Sequence, residues 1–304
     1  MELARMKLEY VVAWPNHAGM FVARKKGFYA EKGLDVEIVW DGWDRGTPAE
    51  LAIAGEYQFV PIRLGELLET RKTDHPFVAV ATFNQVQLGG VISTKSAGIT
   101  SFKDLEGKTL AMSGIPRMVE MVRQAVEKEG GDFSKVNIQS TSPYVPDIRG
   151  VESGECDAVF NVLGWESYTG TRPFDDVVQL NFDDLGIAPH HAYFLCVTEE
   201  FLAERPDMVR NFVAATSHGY DYALANEQEA LDIMLPTMCD SSPLTLRASF
   251  DYMKNSWHAP SGRWGEINPE LVESYTQWMI DAGATTASME DIPGAWTNEY
   301  LPES

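Results

Sequence analysis

Residues 8–39 read LEYVVAWPNHAGMFVARKKGFYAEKGLDVEIV and decide the fold class of this chain. The apolar run over residues 8–14 ends at a Pro-Asn pair and predicts a buried first strand. Apolar residues then recur at near-helical spacing over residues 18–31, and Gly33 predicts the end of that helix. Residues 34–39 return to strand character. The chain therefore opens with a βαβ unit.

The alternation of strands and helices continues through residue 198, with helices predicted over residues 64–70 and 116–128 and a strand over residues 158–162. After residue 199 the pattern is mainly helical. Residues 77–82 form a continuous apolar run, which predicts a strand of a parallel sheet covered on both faces. Two crossings between α/β lobes are predicted, near residues 83–92 and 188–197. The late helices cannot complete an α/β domain alone, so we expect them to pack on the first lobe. The predicted domains are lobe 1 over residues 1–86 and 196–304, and lobe 2 over residues 87–195.

Length and charge limit the possible functions. The 304 residues suffice for two domains, and 45 acidic against 24 basic residues give a formal charge of −21. That charge repels nucleic-acid phosphates and anionic lipid headgroups, so we expect neither as a main partner. The three cysteines are widely separated without CxxC spacing, which indicates no zinc site and no disulfide framework, and we expect them to be buried.

No apolar run approaches the ~20 residues that a membrane-spanning helix needs. The first residues, MELARMKLEYVVAW, also lack the pattern of a secretion signal. We expect either an intracellular chain or one from which an export signal was removed. Two α/β lobes joined by two crossings leave a cleft, and α/β folds place ligands at the carboxyl ends of strands.

Four motifs carry a family resemblance that covers almost the whole chain. They are WPNHAG at residues 14–19, ARKKGFYAEKGLDV at residues 23–36, SFKDLEGK at residues 101–108 and GECDA at residues 154–158. They resemble the solute-binding proteins of ABC-type importers for nitrate, sulfonate, taurine and thiamine precursors. The resemblance implies an α/β, type II periplasmic-binding-protein fold with two lobes, a hinge and a ligand cleft between them. Hinge closure on the ligand would be the mechanism.

Residues 130–133 (GGDF) and 164–166 (GWE) are most similar to the branch that captures a formylaminopyrimidine breakdown product of thiamine. The resemblance implies a small flat heterocyclic ligand, an ABC permease as partner, and no cofactor or metal. It also implies a monomer that is periplasmic or extracellular, with or without a lipid anchor. Binding of sulfonate, nitrate, an aromatic acid or riboflavin stays open within the same fold.

An enzyme is the alternative of another class. The same branch contains a fungal-type enzyme that builds the thiamine pyrimidine from its own histidine and a vitamin B6 phosphate, assisted by iron and a cysteine cluster. This chain departs from that pattern, because Cys156, Cys196 and Cys239 are not clustered. The lysine that would anchor the cofactor also has no recognisable position. We therefore predict a binding protein and not an enzyme.

Candidate ligand-binding residues of lobe 1 follow its first two predicted strands. Trp14, Asn16 and His17 lie at a strand-to-helix junction, where side chains point to the cleft. The alternative is that Asn16 caps the helix and His17 lies at the surface. Trp43 is favoured over Trp40 as a wall for stacking a flat ligand, since Trp40 could close the core.

The two crossings supply four further candidates. Asn84 and Gln85 carry amides that can donate to and accept from a heterocycle, although they could instead satisfy only the crossing backbone. At the second crossing, His190 and His191 are predicted to lie in a strand with Tyr193. Adjacent strand residues point to opposite faces, so we select His191 and Tyr193 and expect no two-histidine metal site.

Lobe 2 supplies two pairs. Ser113 and Gly114 precede a long predicted helix, whose free N–H groups suit a carbonyl, carboxylate or phosphate, unless Ser113 is only the cap. Trp165 and Glu166 are the most specific pair, because an indole beside a carboxylate matches a flat ring with an exocyclic amine. Glu166 would repel sulfonate or nitrate. The alternative for Glu166 is a solvated acid at a helix start.

Overall fold

The computed structural model describes residues 1–9, 12–42, 44–141, 145–238 and 242–303. The chain divides into two compact units. Unit 1 comprises Met1–Val86, His190–Thr276 and Ala287–Ser304, and unit 2 comprises Gln87–Pro189 and Gln277–Thr286. The predicted boundaries lay after residues 86 and 195, whereas the observed units change after Val86, Pro189, Thr276 and Thr286.

Strands of each unit come from separate parts of the chain. Those of unit 1 are β1 (Glu2–Lys7), β2 (Leu34–Val39), β3 (Val60–Ile62), β4 (Phe77–Thr82) and the late strand β10 (Phe194–Thr198). Those of unit 2 are β5 (Gly89–Thr94), β6 (Thr109–Met112), β7 (Asn137–Ser140), β8 (Ala158–Val162) and β9 (Val177–Asn181).

Helices occur throughout the chain and dominate its last third. In the first part they are α1 (Ala18–Lys26), α2 (Phe28–Glu31), α3 (Pro48–Ile53), α4 (Leu64–Thr70), α5 (Pro116–Lys128) and α6 (Ile148–Glu152). They continue as α7 (Glu199–Glu204), α8 (Pro206–Ala225), α9 (Glu227–Met234), α10 (Pro243–Met253) and α11 (Pro269–Asp281). Within the described residues, no helix has both the length and the apolar character that crossing a membrane requires.

The strands of unit 1 bring several strand ends to one edge. β1 pairs with β2 in parallel, and β10 lies between β3 and β4, antiparallel to both. A parallel bridge from Met6 to Phe59 joins the two ladders. β1, β2, β3 and β4 therefore run in the same direction. We call the side on which they end the carboxyl edge of unit 1.

Unit 2 has a mixed sheet with the strand order β7-β6-β8-β5-β9. β6 is parallel to both β7 and β8, whereas β5 is antiparallel to β8 and β9. The neighbouring strands β6 and β8 therefore end side by side. We call this side the carboxyl edge of unit 2.

Helix α8 packs closely on α1 within unit 1. A Cβ atom added at Gly219 would lie only 2.0 Å from the carbonyl oxygen of Gly19, so the two backbones touch where these glycines meet. Tyr29 Oη and Thr216 Oγ1 form a buried hydrogen bond of 2.8 Å nearby. Helix α8 thus contributes to the same core as the first helix of the chain, as expected for the late helices, whereas the end of α11 from Gln277 onward belongs to unit 2.

Several predicted elements have the predicted bounds, and others need correction. The predictions over residues 64–70, 77–82, 116–128 and 158–162 are confirmed as α4, β4, α5 and β8. The first strand is β1, in which buried Ala4 and Met6 alternate with exposed or half-exposed Leu3 and Arg5. Of the strand predicted over residues 8–14, residues 8, 9 and 12–14 lie in no strand, and residues 10 and 11 lie outside the described residues. Both a continuous apolar run and an alternation of apolar and polar residues can predict a strand. Here the alternating residues of β1, which precede the apolar run, form the strand.

Three further predictions were wrong in detail. β4 pairs antiparallel to β10 and is not part of a parallel ladder, because its hydrogen-bonded neighbour returns from the second crossing. The helix predicted over residues 18–31 is interrupted at Gly27, whose φ of 83° is left-handed. The strand predicted from His190 begins only at Phe194, so His190 and His191 do not alternate in a ladder.

Candidate functional site

Most candidate residues of unit 1 gather at its carboxyl edge. Glu9 follows β1, Arg63 follows β3, Asn84 follows β4, and Tyr193 immediately precedes β10. Trp14, Asn16 and His17 connect β1 to α1 on the same side. The predicted Trp43 lies outside the described residues.

A buried acid links two of the candidates. A carboxylate oxygen of Glu9 accepts a hydrogen bond from the indole N–H of Trp14 at 3.1 Å, and His17 Nε2 lies 3.0 and 3.1 Å from the two oxygens. Burial by itself raises the pKa of Glu9, but the His17 imidazole and the hydrogen bonds hold it below its ordinary value. His17 Nδ1 is buried and has no hydrogen-bond partner among the described residues. The surface alternative for His17 is therefore wrong, since His17 is 1% exposed.

Asn16 and Asn84 form a reciprocal amide pair. Asn84 Nδ2 donates to Asn16 Oδ1 at 2.7 Å, and Asn16 Nδ2 donates to Asn84 Oδ1 at 3.0 Å. Ser256 Oγ accepts from Asn84 Nδ2 at 2.7 Å, and Trp257 Nε1 donates to Asn16 Oδ1 at 3.1 Å. Both asparagines are fully buried. Asn16 is thus not a helix cap, and the pair joins three distant parts of unit 1.

Replacing Asn16 by alanine is expected to destabilise unit 1 by about 2 kcal/mol. The substitution removes the partner of the buried Trp257 N–H and one partner of Asn84, and an unsatisfied buried group costs roughly 1–3 kcal/mol. Urea unfolding measures the loss. Asn255→Ala is the control, because the Asn255 amide makes only an exposed contact, and it should change stability by less than about 0.5 kcal/mol. Equal effects of the two variants would contradict the pair's role.

His191 has both ring nitrogens occupied. Its Nδ1 donates to the Asn84 carbonyl oxygen at 2.9 Å, and its Nε2 accepts from the Asn268 N–H at 3.0 Å. Burial lowers the pKa of His191 to about 4, so the ring is neutral at pH 7. Through these contacts His191, at the second crossing, holds the backbone at Asn84, at the first crossing. This is a positioning role.

Gln85 and Tyr193 have partners of their own within unit 1. Gln85 Nε2 donates to the Glu266 carbonyl oxygen at 3.0 Å, which matches the alternative that Gln85 satisfies backbone. Tyr193 Oη accepts from Arg63 Nη2 at 2.6 Å, and the guanidinium lies 4.7 Å from the centre of the tyrosine ring. The pair places a cation at the carboxyl edge of unit 1.

The candidates of unit 2 lie at the ends of its adjacent parallel strands. Ser113 and Gly114 follow β6, and the N-cap of α5 is Ile115 without a side-chain cap, so Ser113 is not the cap. A Cβ atom at Gly114 would lie 2.7 Å from Ser140 Oγ, so this position accepts only glycine without a shift. Trp165 and Glu166 lie on the turn after β8, the strand beside β6.

Glu166 is a buried acid with an open hydrogen-bonding position. Glu166 is only 9% exposed, and within the part of the chain that the structure describes its Oε2 has no hydrogen-bond partner. Burial raises its pKa to about 8, with a smaller contribution from Asp147. The solvated alternative is therefore wrong. At pH 7 the carboxyl is mainly protonated, so it can donate one hydrogen bond and accept another.

The turn that carries Trp165 and Glu166 is held on both sides. Gly164 has a φ of 73°, and its N–H is shared between Ser167 Oγ at 3.0 Å and Gln179 Oε1 at 2.8 Å. Ser167 Oγ also donates to Gln179 Oε1 at 2.7 Å. Such local bonds fix the direction of the two intervening side chains.

Two charged residues at the edge of unit 1 were not predicted as site residues. Glu9 was missed because it fell within the apolar run, and Arg63 because no motif surrounds it. Among described residues, no group of three or more His, Cys, Asp or Glu side chains is arranged to hold a metal ion. The predicted burial of cysteines is confirmed for Cys156 and Cys196, while Cys239 lies outside the described residues.

Comparison with known proteins identifies relatives of two kinds. The family model described as NMT1/THI5 like matches residues 14–230. A formylaminopyrimidine-binding protein of Halalkalibacterium halodurans is 26% identical over 283 residues, covering 90% of this chain and 84% of the relative. A 4-amino-5-hydroxymethyl-2-methylpyrimidine phosphate synthase of Aspergillus parasiticus is 22% identical, covering 92% of this chain and 90% of the relative.

Solved structures with the same fold cover nearly the whole chain. The periplasmic aliphatic sulphonate binding protein SsuA of Escherichia coli matches with a TM-score of 0.73 at 12% identity, covering 100% of this chain and 95% of that chain. A Candida albicans protein described as having the generic periplasmic binding protein fold matches with a TM-score of 0.65 at 14% identity, covering 100% and 99%. The predicted periplasmic-binding-protein fold is thus confirmed.

Proposed function

This chain belongs to the NMT1/THI5-like family, and we propose that it is a solute-binding protein that captures a small aminopyrimidine of the formylaminopyrimidine type. Its partner is an ABC permease in a membrane, and the protein works in the periplasm or outside the cell. The formylaminopyrimidine-binding relative and the fold shared with the sulphonate-binding protein support this proposal.

The buried carboxyl of Glu166, whose Oε2 has no hydrogen-bond partner among the described residues, is the observation that carries the ligand class. In an aminopyrimidine, a ring nitrogen that accepts a hydrogen bond lies beside an amine that donates one. A protonated carboxyl offers the complementary donor and acceptor, so the two groups pair through two hydrogen bonds. Trp165, the neighbouring residue, supplies a flat apolar face against which the ring stacks.

The anionic ligands of other solute-binding proteins fit this chemistry less well. A nitrate or sulfonate group has acceptor oxygens and no donor, so Glu166 could offer it a single hydrogen at most. Deprotonation would place two negative charges together in a buried site, which is costly. The acid at this position therefore favours an amine-bearing heterocycle.

The protein is proposed to bind its pyrimidine without converting it. Relatives of the synthase type share about as much of the chain as the binding protein does, so sequence coverage alone does not separate the classes. Glu166 can recognise a ring without reacting with it. Incubation with pyridoxal phosphate and iron(II), followed by mass spectrometry, should yield no pyrimidine phosphate; its formation would replace binding by synthesis as the function.

A thermal-shift screen tests the ligand class. The probes are formylaminopyrimidine, hydroxymethylpyrimidine, thiamine, riboflavin, taurine, alkanesulfonates and nitrate. A ligand at 100 times its Kd stabilises the protein by about 2.7 kcal/mol, and we expect this for the aminopyrimidines. A shift with only a sulfonate, nitrate or riboflavin would refute the pyrimidine assignment and leave the fold unaffected.

A further inference from the structure

His17 carries a buried ring nitrogen without a hydrogen-bond partner among the described residues, at the carboxyl edge of unit 1. The neighbouring Asn16, Asn84 and His191 have their hydrogen-bonding groups paired within the unit. His17 Nδ1 is equally buried but has no partner in the described ranges of the chain, while Nε2 of the same ring contacts Glu9. Most buried polar atoms in folded proteins are paired, and this one lies among the candidate ligand-binding residues of the carboxyl edge, where a ligand would supply its partner.

Glu9 determines which ring nitrogen of His17 carries the hydrogen. Its carboxylate can only accept hydrogen bonds, and it already accepts one from the Trp14 indole. His17 Nε2 is within hydrogen-bond distance of both carboxylate oxygens, so Nε2 must be the protonated nitrogen. In the neutral imidazole, Nδ1 is then a bare acceptor.

The position of this acceptor is also fixed. The Trp14 and His17 rings meet edge to face with centroids 5.6 Å apart, and both donate to Glu9. Trp14, Glu9 and His17 are all buried, with little room for the ring to turn. A fixed acceptor loses little entropy on binding and discriminates by the presence of a matching donor.

We propose that Glu9 is a positioning residue that holds the proton on His17 Nε2, so that His17 Nδ1 accepts a hydrogen bond from an N–H group of the bound pyrimidine. This assignment rests on the proposed function and concerns a recognition point on unit 1 alone. It selects ligands that carry an amine or amide N–H.

Nitrogen-15 NMR of histidine-labelled wild-type protein tests the assignment without a variant. In the free protein, long-range spectra should show His17 with Nε2 protonated and Nδ1 bare. Addition of formylaminopyrimidine should move the Nδ1 resonance towards the hydrogen-bonded value, while Nε2 stays protonated. A protonated Nδ1, or an Nδ1 resonance that saturating ligand leaves unchanged, would overturn the proposal.

Two variants measure the contribution to affinity. His17→Phe keeps a flat ring without the acceptor, and Glu9→Gln no longer enforces the Nε2 proton. Each should weaken formylaminopyrimidine binding by roughly ten- to a hundredfold in calorimetry. His218→Phe, at an exposed histidine stacked on Phe28, is the matched control and should bind like the wild type.

The outcomes separate the two proposals. If the wild type binds a pyrimidine and His17→Phe, correctly folded by circular dichroism, binds it equally well, the His17 assignment fails and the function stands. If the wild type binds no pyrimidine, both fail. If binding weakens and the Nδ1 resonance responds, both stand.

Discussion

Glu166→Ala is expected to weaken formylaminopyrimidine binding by at least about a hundredfold, because it removes both hydrogen bonds of the acid–pyrimidine pair and leaves two ligand groups unsatisfied. Isothermal titration calorimetry at pH 7 measures the change in Kd. Trp165→Ala should cost less, about tenfold to thirtyfold, since it removes an aromatic contact and its apolar area. Glu155→Ala, an exposed acid of the same unit, is the control and should leave Kd unchanged.

Glu166→Gln distinguishes the protonated acid from the carboxylate as the recognised form. The glutamine amide has the same shape and also offers one donor and one acceptor towards the ring, so it imitates the protonated acid. We expect this variant to retain binding within about tenfold of the wild type. A loss as large as that of Glu166→Ala would show that negative charge is required, and the neutral pairing would be rejected.

Local patterns in the sequence predicted much of the fold. The bounds of α4, β4, α5 and β8 follow from apolar periodicity and from prolines or glycines at their ends. The pair Trp165 and Glu166 could be selected because a short motif after a strand carries it. Each of these features depends on residues that are neighbours in the chain, which is the information a single sequence contains.

Roles that depend on distant partners could not be predicted. The Asn16 amide was a candidate for ligand binding, but its partners are 68 and 241 residues away. His191 contacts the Asn84 carbonyl across 107 residues. The direction of β4 depends on β10, which follows an entire second unit. Chemistry identifies which side chains can bind a ligand, but only the fold decides which are already satisfied.

Glu9 illustrates a different failure. The apolar run over residues 8–14 predicts a buried strand, and an acid inside such a run does not indicate a functional site. The strand instead ends at Lys7, so Glu9 is the second residue after it and lies at the carboxyl edge. An error of a few residues in a strand boundary therefore hid the acid that contacts two predicted site residues.

A pH-dependent stability difference between wild type and Glu166→Gln is the second large expected effect. Burial raises the pKa of Glu166 from 4.5 to about 8 in the folded protein, so the folded state holds a proton that the unfolded chain releases near its ordinary pKa. Stability falls with rising pH wherever the folded state binds more protons. The stabilisation that the Glu166 proton gives the folded state is fully present below about pH 4.5, declines between pH 4.5 and about 8, and is lost above that window.

Glu166→Gln has no titrating group at this position. Its free energy of unfolding should therefore rise relative to that of the wild type as the pH increases across the same window. The gain has an upper limit of about 1.4 kcal/mol per pH unit, or a few kcal/mol in total. Urea unfolding at successive pH values, without ligand, measures it as a difference between the two proteins. Asp147, which also affects the Glu166 pKa, is common to both and cancels. A difference that does not depend on pH would show that Glu166 is ionised in the folded protein.

The same proton links stability to ligand affinity. If the pyrimidine pairs with the protonated acid, wild-type affinity should fall above the pH at which Glu166 ionises, because the bound form must first take up a proton. Glu166→Gln should show no such fall, since its amide keeps the donor at every pH. A ligand that accepts a hydrogen bond from the protonated Glu166 raises the pKa of that carboxyl in the complex, so binding extends to a higher pH than the ionisation of the free protein alone would allow. The free energy of unfolding of the ligand-free wild type should therefore stop changing with pH at a lower pH than that at which the pyrimidine complex dissociates.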